Sequence, residues 1–314
     1  MMLPYFPFDQ SGFTMAMGVQ PLALRHLIEV DAVEARGELH LKRALLDTDA
    51  PTYAALPPST MALQWDALSV VLPAMATRYP HWFTLRRSGD EWHWHNALLD
   101  EATRFAFGVD ATLPHAPLEW LGRQVQEDLV LLAPDAAAGF PLVGGVLCFP
   151  NMWSLGEKLG QPLMQIHQTV PGFAEHVGRS SALLFARMKQ WHPVWRLNWS
   201  ILPLPRLNLV PQFFGENTQA ASELTLATIG ARCHLRIERQ TLTRLPMTGA
   251  ILFGIHTYQM PLEELTAHPT QLRQFAAYLP TIPADMLHYK GIDRFSDLLR
   301  EYLRLQLARS PEQG

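Results

Sequence analysis

The residues best placed to do chemistry lie in one stretch, residues 144–173, which reads GGVLCFPNMWSLGEKLGQPLMQIHQTVPGF. It contains a single histidine, His167, between an apolar run that ends at Ile166 and a turn that begins at Val170 and Pro171. An apolar approach and a proline-rigidified exit would hold the imidazole ring in place, so His167 is a candidate metal ligand. A solvated or helix-capping histidine is the alternative that this pattern leaves open.

Cationic side chains recur on the strands predicted for the C-terminal half of the chain. Arg196 lies in VWRLNWSI (194–201), and Arg236 and Arg239 lie on the next predicted strand. Arginines fixed on strands are suited to binding the carboxylates of a cofactor, because the planar guanidinium matches a carboxylate in two hydrogen bonds. The alternative is that these arginines form cross-strand ion pairs, for example with Glu238.

Three further side chains are candidates for acid–base work on a substrate. Glu238 is a carboxylate that would hold an ammonium group or accept its proton. His256 and Tyr258 project from the same predicted strand face as Gly254, whose missing side chain would leave room for a flat ligand. A salt bridge from Glu238 to a neighbouring arginine is the alternative for that residue.

Composition excludes several classes of partner and site. A chain of 314 residues with 48% hydrophobic content buries a full core, and a net charge of −4 predicts neither a nucleic-acid nor a membrane partner. The two cysteines, Cys148 and Cys233, are isolated, which excludes a self-contained iron–sulfur cluster and is typical of a reducing compartment. The absence of a signal-like opening and of a long apolar run predicts a cytoplasmic protein.

Periodicity predicts a mixture of helices and strands. The N-terminal arm (1–20) and the tail ARSPEQG are predicted to be irregular, and residues 206–232 are predicted to form a surface flap. Three C-terminal strands in a row predict an antiparallel meander. Helices are predicted over 24–46, 59–78, 117–133, 173–191 and 262–308, and strands over 81–87, 91–95, 140–149, 194–201, 234–241 and 250–258.

Two polar clusters are predicted to lie on the surface. The helical spacing of apolar residues in 117–133 places its polar residues on a solvated face: Arg123, Gln126, Glu127 and Asp128. The predicted hairpin carries three histidines: His81, His93 and His95. His93 and His95 share one strand face and no third ligand lies at an obvious spacing, so a structural or exposed role is predicted for them.

The longest motifs resemble the catalytic α-subunit of haem-dependent oxidative N-demethylases, a bacterial family in which a PAS-type domain carries haem as an enzyme. The resemblance covers nearly the whole chain. It is carried by PYFPFDQSGFTMAMGVQPL (4–22), FPNMWSLGEKLGQPLMQIHQTVP (149–171), PVWRLNWSI (193–201), LRIERQTLTRLP (235–246) and GAILFGIHTYQMPLEEL (249–265).

The resemblance implies the chemistry and the partners. It implies haem b as the cofactor, with His167 of IHQTVP as the axial ligand of the haem iron, and O2-dependent N-demethylation of a small secondary or methylated amine. It further implies a flavin and iron–sulfur reductase subunit, because this chain has no nicotinamide-binding motif of its own, and a folate-dependent partner that takes up formaldehyde. Members of the family more often have arginine at the position of His256 and tyrosine at that of Phe173.

If haem is bound, as the resemblance implies, the arginines on the strands are expected to hold its propionates and the catalytic set is expected to line the distal pocket. The cofactor-binding set is His167, Arg196, Arg236 and Arg239, and the catalytic set is Glu238, His256 and Tyr258.

The expected fold class is α+β, with a PAS-like antiparallel sheet wrapped by N- and C-terminal helices. Three regions are expected to act as one unit: a helical and hairpin region (1–135), a haem-binding core (136–265) and a helical extension (266–314). Two other functions stay open. One is a haem-binding PAS-type gas or redox sensor without catalysis, and the other is a ligand-binding protein without haem.

Overall fold

The computed structural model describes residues 3–8 and 12–309 of the chain. A seven-stranded sheet in which every pairing is antiparallel lies at its centre, in the strand order β1-β8-β9-β10-β6-β7-β2. This confirms the α+β class, the antiparallel sheet and the C-terminal meander. The strands are β1 Gln20–Pro21, β2 Ala54–Ala55, β6 Asp128–Leu132, β7 Leu142–Val146, β8 Val194–Leu202, β9 His234–Arg244 and β10 Ile251–Pro261.

A separate three-stranded sheet shares a hydrophobic core with Leu129 and Leu252 of the central sheet. It contains the predicted hairpin and one strand that the sequence did not reveal, in the order β3 Phe83–Ser88, β4 Glu91–Asn96 and β5 Glu101–Ala106. Alternation along β4 buries Trp92 and Trp94 and exposes His93 and His95. The His93 Nε2 atom lies 2.5 Å from the Glu91 carboxylate, so this histidine has an exposed partner on its own strand.

Helices cover both faces of the central sheet. Helix α1 continues past its predicted end to Tyr53, with a kink at Asp49, whose backbone is not helical. Helix α2 likewise runs through Pro73. The helices are α1 Ala35–Tyr53, α2 Met61–Arg78, α3 Pro117–Gly122, α4 Leu155–Lys158, α5 Leu163–Ile166, α6 Arg179–Arg187, α7 Phe214–Ser222, α8 Ile229–Arg232, α9 Pro269–Tyr278, α10 Ala284–Tyr289 and α11 Ser296–Arg309.

The helix predicted over 117–133 is wrong. Helix α3 ends at Gly122, and Asp128–Leu132 forms β6, a strand between β10 and β7 in the middle of the sheet. All five residues of β6 are buried, so the strand shows no alternation of apolar and polar residues. A short apolar run of this kind is indistinguishable by periodicity from a buried helix.

The ends of the chain and the predicted flap are packed to different degrees. Residues 3–8 form neither helix nor strand, as predicted for the arm, and Phe8 packs on Trp199 and Phe275. The prediction for the tail falls mostly on residues 310–314, which lie outside the described residues. The predicted flap 206–232 contains α7 and α8, and Ile229 is fully buried in the core below the C-terminal helices.

The two faces of the sheet meet different parts of the chain. The side chains of Leu242, Ile251 and Ile255 pack against the segment 140–188, which carries His167, and we call this the His167 face. The opposite face packs against the N-terminal arm and the helices at both ends of the chain. Strands β1, β2 and β6 belong to this same sheet, and the division into three regions stays a prediction. Within the described residues no helix is long and apolar enough to cross a membrane.

Candidate functional site

His167 is held by two contacts that fix its ring. It follows α5 directly, and its Nδ1 atom lies 2.9 Å from the backbone oxygen of Leu163. A carbonyl oxygen only accepts, so Nδ1 carries the proton and Nε2 keeps its lone pair. The ring stacks on Phe173 with centroids 4.4 Å apart and planes 9° apart. A fixed tautomer with a free Nε2 is the arrangement found in histidines that bind metals.

The electrostatic surroundings keep this imidazole neutral. Burial lowers the pKa of His167, and the positive charges of Lys158 and Arg196 lower it further against the hydrogen bond to Leu163. The neutral ring is the form that binds a metal ion, so protons do not compete for Nε2 near pH 7.

A cavity of about 210 Å³ adjoins His167 and is lined by residues 164 and 167–175. Pockets that hold cofactors are larger, roughly 300–1,000 Å³. The loop that closes the cavity has exposed side chains at Gln168, Thr169, Ala174 and Glu175. A macrocycle therefore fits at His167 only if this loop moves outward.

On the sheet side, Glu238 is a fixed carboxylate on the His167 face. Its Oε2 atom accepts hydrogen bonds from Asn198 Nδ2 at 3.2 Å and Gln240 Nε2 at 3.0 Å. Its Oε1 atom lies 3.5 Å from the Nε atom of Arg236, so the expected salt bridge is present. The side chain is nearly buried, and its position is therefore set by three neighbours rather than by solvent.

Arg196 is a cation on this face that has a buried donor without a hydrogen bond, as Arg236 also has at its Nε atom. Its Nε atom is buried and makes no hydrogen bond within the described residues. Burial lowers the pKa of Arg196, and the attraction of Glu238 opposes the shift. A buried guanidinium donor without a partner is rare, and an anionic group bound beside it would satisfy it. The donor set of Arg196 and His167 therefore fits a haem, whose iron needs one imidazole and whose propionates need a cation.

The terminal nitrogens of Arg236 already donate hydrogen bonds within the protein. It is fully buried and donates to Leu207 O at 2.9 Å, Phe149 O at 2.5 Å and Thr257 Oγ1 at 3.2 Å. Its guanidinium thus ties β9 to the point where the chain leaves β7 for the His167 segment.

Sequence reasoning missed three polar residues around Glu238: Asn198, Gln240 and Lys290. Strand alternation was a signal for the first two, because it places Asn198 with Arg196 and Gln240 with Glu238. Lys290 follows α10, donates to Trp199 O at 2.7 Å and lies 4.3 Å over the Trp199 ring. Burial lowers the pKa of Lys290 to about 8, with Arg196 acting in the same direction and Glu238 against it. No sequence pattern indicated that this lysine meets the sheet.

The remaining predicted residues lie on the opposite face of the sheet and do not meet His167. His256 stacks on Tyr258 with centroids 4.3 Å apart, and Tyr258 donates to Glu29 Oε2 at 2.8 Å. The Arg239 guanidinium lies 3.3 Å from Glu29 and donates to His26 O. The expectation of free space at Gly254 is wrong, because a Cβ atom there would lie 2.7 Å from the Thr241 hydroxyl.

The polar cluster predicted to be solvated is buried. Glu127 and Asp128 are fully inaccessible at the start of β6. Asp128 accepts from the backbone N–H groups of Cys148 and Phe149, both at 2.8 Å, and lies 3.4 Å from Lys42 Nζ. Glu127 Oε1 accepts from His256 Nδ1 at 3.1 Å. The prediction failed because it assigned these residues to the solvent-exposed face of a helix that does not form.

The Glu127–His256 pair makes stability depend on pH. Burial alone would lower the pKa of His256, but the charge and hydrogen bond of Glu127 outweigh it and raise the pKa above 6.5. Burial alone would raise the pKa of Glu127, but His256 outweighs it and lowers the pKa below 4.5. A histidine whose pKa is raised by folding stabilises the folded protein at pH values below its unfolded pKa, and this stabilisation is lost as the pH rises through its folded pKa. A glutamate whose pKa is lowered by folding stabilises the folded protein at pH values above its unfolded pKa, and this stabilisation is lost as the pH falls through its folded pKa.

We therefore expect the free energy of unfolding of the wild type, relative to His256→Gln, to be largest at about pH 5 to 6 and to decline toward alkaline pH. Urea unfolding at a series of pH values measures this difference. His93→Gln is the matched control, because His93 is exposed. If the free energies of unfolding of the wild type and His256→Gln differ by the same amount at pH 5 to 6 and at alkaline pH, the pair does not titrate as described.

Residues 3–8 and 12–309 contain no group of three or more His, Cys, Asp or Glu side chains arranged to hold a metal ion. A comparison with protein-family models matches residues 18–300 to the family described as "Haem-dependent oxidative N-demethylase, alpha subunit-like".

Proposed function

The chain belongs to the haem-dependent oxidative N-demethylase, alpha subunit-like, family, and from that premise we propose that it binds haem b between the His167 segment and the His167 face of the sheet. There it would use O2 to remove a methyl group from a small secondary or methylated amine. The observation that carries the proposal is the geometry of His167, whose Nδ1–H is bound to Leu163 and whose Nε2 is free. A PAS-like architecture is part of the proposal, supported by an antiparallel sheet with this segment on one face.

Each residue has a role in the proposal. His167 offers Nε2 to the iron, and Arg196 binds a propionate with its unpartnered donor. Haem, when bound, supplies the redox chemistry that activates O2. Glu238 holds the ammonium of the amine, with Asn198 and Gln240 fixing its Oε2 atom. Arg236 positions Glu238 from its other side.

His256, Tyr258 and Arg239 act indirectly in this proposal. Their side chains project from β9 and β10 on the opposite face, so they position the strands rather than touch the substrate.

Electrons come from outside the chain. An alpha-subunit-like family implies a partner subunit, and we propose that it is a flavin and iron–sulfur reductase. The chain's own two cysteines are buried and free, and a cluster needs four ligands. Unpaired thiols are typical of a cytoplasmic protein, which is the location we propose.

Formaldehyde release tests the proposal. Haem-loaded protein is mixed with an NADPH-driven ferredoxin system, O2 and a panel of amines such as dimethylamine and N-methylglycine, and formaldehyde is measured. We expect formaldehyde to form in proportion to amine consumed, with none from haem-free protein. A stable haem spectrum that no amine shifts, without formaldehyde, would instead favour a haem-binding sensor.

Replacing Arg196 with methionine is expected to weaken haem binding about tenfold to a hundredfold, because a charge-assisted hydrogen bond is worth about 1.5–3 kcal/mol. Haemin titration of the apoprotein followed by absorbance measures the dissociation constant. Arg86→Met, on the exposed side of β3, is the control. Equal affinities for Arg196→Met and the wild type would remove Arg196 from the site.

A further inference from the structure

One surface of the protein has a charge opposite to that of the whole chain. Residues 176–192 contain Arg179, Arg187 and Lys189 and no aspartate or glutamate, whereas the net charge of the chain is −4. Arg179, Leu183 and Arg187 are four residues apart, which places them on one face of α6, and all three are exposed. In the described part of the chain none of the three cations forms a salt bridge, so their charge is available to a partner.

Trp191 continues this surface in a strained conformation. Its φ of 64° lies in the left-handed region, which costs a bulky residue about 1–3 kcal/mol, yet 54% of the side chain is exposed. The residues on both sides of Trp191 are hydrogen-bonded, because the side-chain Nε2 of Gln190 donates to Pro246 O at 2.9 Å and the side-chain Nδ1 of His192 donates to Gln190 O at 2.8 Å. The fold thus maintains an aromatic ring in water at an energetic cost.

The neighbouring turn between β9 and β10 adds a second exposed apolar side chain. Met247 is 57% exposed. It follows Pro246, whose carbonyl oxygen accepts the hydrogen bond from the Gln190 side chain. Tryptophan, arginine and methionine are the residue types enriched at the centres of protein interfaces.

This surface is the outer side of the segment that carries His167. The buried side of the same segment packs Phe185 and Met188 against Ile255 on the His167 face of the sheet. Arg244 donates to Met188 O and Gly249 O, which fixes the end of α6 to the β9–β10 turn. A protein bound here would lie over the elements that surround the candidate cofactor site.

We propose that this docking surface, formed by Arg179, Leu183, Arg187, Lys189, Trp191 and Met247, binds an acidic one-electron donor protein, the partner that the alpha-subunit-like family implies. The inference rests on the proposed function, because that function requires electrons from outside the chain. Charge complementarity favours an acidic partner, since the unpaired cations lie on the same segment as the exposed Leu183 and Trp191. Complementary charge also steers association and makes it sensitive to salt.

An acidic [2Fe–2S] ferredoxin is the probe for the test, and its dissociation constant for the protein is measured at low and high salt. We expect Arg187→Glu/Lys189→Glu to weaken binding about tenfold or more, and high salt to weaken the wild type similarly. Trp191→Gly is expected to weaken binding about tenfold or more, as loss of an interface anchor does. Glycine adopts a positive φ freely, so the melting temperature of this variant should equal or exceed that of the wild type.

Arg86→Glu/Arg273→Glu is the matched control, because both arginines are exposed on other elements. The docking surface is overturned if ferredoxin does not bind the wild type, or if the control loses as much affinity as the α6 variant. It is also overturned if the surface variants abolish self-association of the chain, or binding to phosphatidylserine vesicles, while leaving ferredoxin affinity intact.

Two readouts separate this inference from the proposed function. Ferredoxin binding is measured without turnover, so loss of affinity in the surface variants supports the docking surface even if the wild type binds no haem. Haem binding and reduction by dithionite are measured in the same proteins. If both are normal while ferredoxin does not bind, the docking surface fails and the haem site stands.

Discussion

Replacing Asp128 with alanine is expected to lower the free energy of unfolding by about 3–5 kcal/mol, which is the cost of removing one partner from a buried ion pair. The variant leaves the ammonium of Lys42 buried, with only the carbonyl oxygens of residues 125–127 as partners. It also leaves the N–H groups of Cys148 and Phe149 without an acceptor. Burial raises the pKa of Asp128 against the attraction of Lys42, so the pair is already held at a cost.

The effect should reach the candidate site. Phe149 is the point at which the chain leaves the sheet for the His167 segment, and its carbonyl oxygen binds Arg236. Guanidinium unfolding with an unchanged m-value measures the loss. Asp297→Ala is the control, because its ion pair with Arg300 is exposed and worth less than about 1 kcal/mol. A loss for Asp128→Ala no larger than that of Asp297→Ala would contradict the description of this pair.

Replacing His167 with alanine is expected to weaken haem binding by more than the 10–100-fold that loss of an outer-shell partner costs a metal site. The Soret band should be lost or shifted at the haemin concentration that saturates the wild type. The apoprotein should remain folded, because the side chain makes one hydrogen bond, worth about 1 kcal/mol, and is half-buried.

His176→Ala is the matched control, since His176 belongs to the same segment and is exposed. His167→Gly with added imidazole provides a rescue, because a free imidazole entering the vacated space should restore the wild-type spectrum. If His167→Ala keeps the wild-type spectrum and affinity, another residue is the axial ligand.

Much of the sheet was predictable from local pattern. Strands β8, β9 and β10 have enough alternating residues for the period to be read, and Arg196 and Glu238 lie on one face as alternation requires. Strand β6 was not predictable in this way, because five buried residues in the middle of a sheet carry no period. Glu127 and Asp128 were misplaced for the same reason.

The sequence also did not show which face of the sheet meets the His167 segment. The register of β9 against β10 pairs Glu238 with Thr257, which places Glu238 and His256 on opposite sides, and no single strand shows which side meets the His167 segment. That depends on the packing of 140–188 against Leu242 and Ile255, which is a contact between distant parts of the chain. Lys290 meets Trp199 of β8 through a similar long-range contact, and the charge of Glu238 acts on its pKa. Sequence spacing therefore predicted candidate residues more readily than their assembly.

The most direct test is a titration of the purified wild-type chain with haemin, recorded oxidised, reduced and under carbon monoxide. We expect a Soret band that saturates at equimolar haem, moves on reduction and forms a carbon monoxide complex of a histidine-ligated haem. A spectrum that remains that of free haemin throughout would contradict haem binding at His167 and, with it, the proposed function.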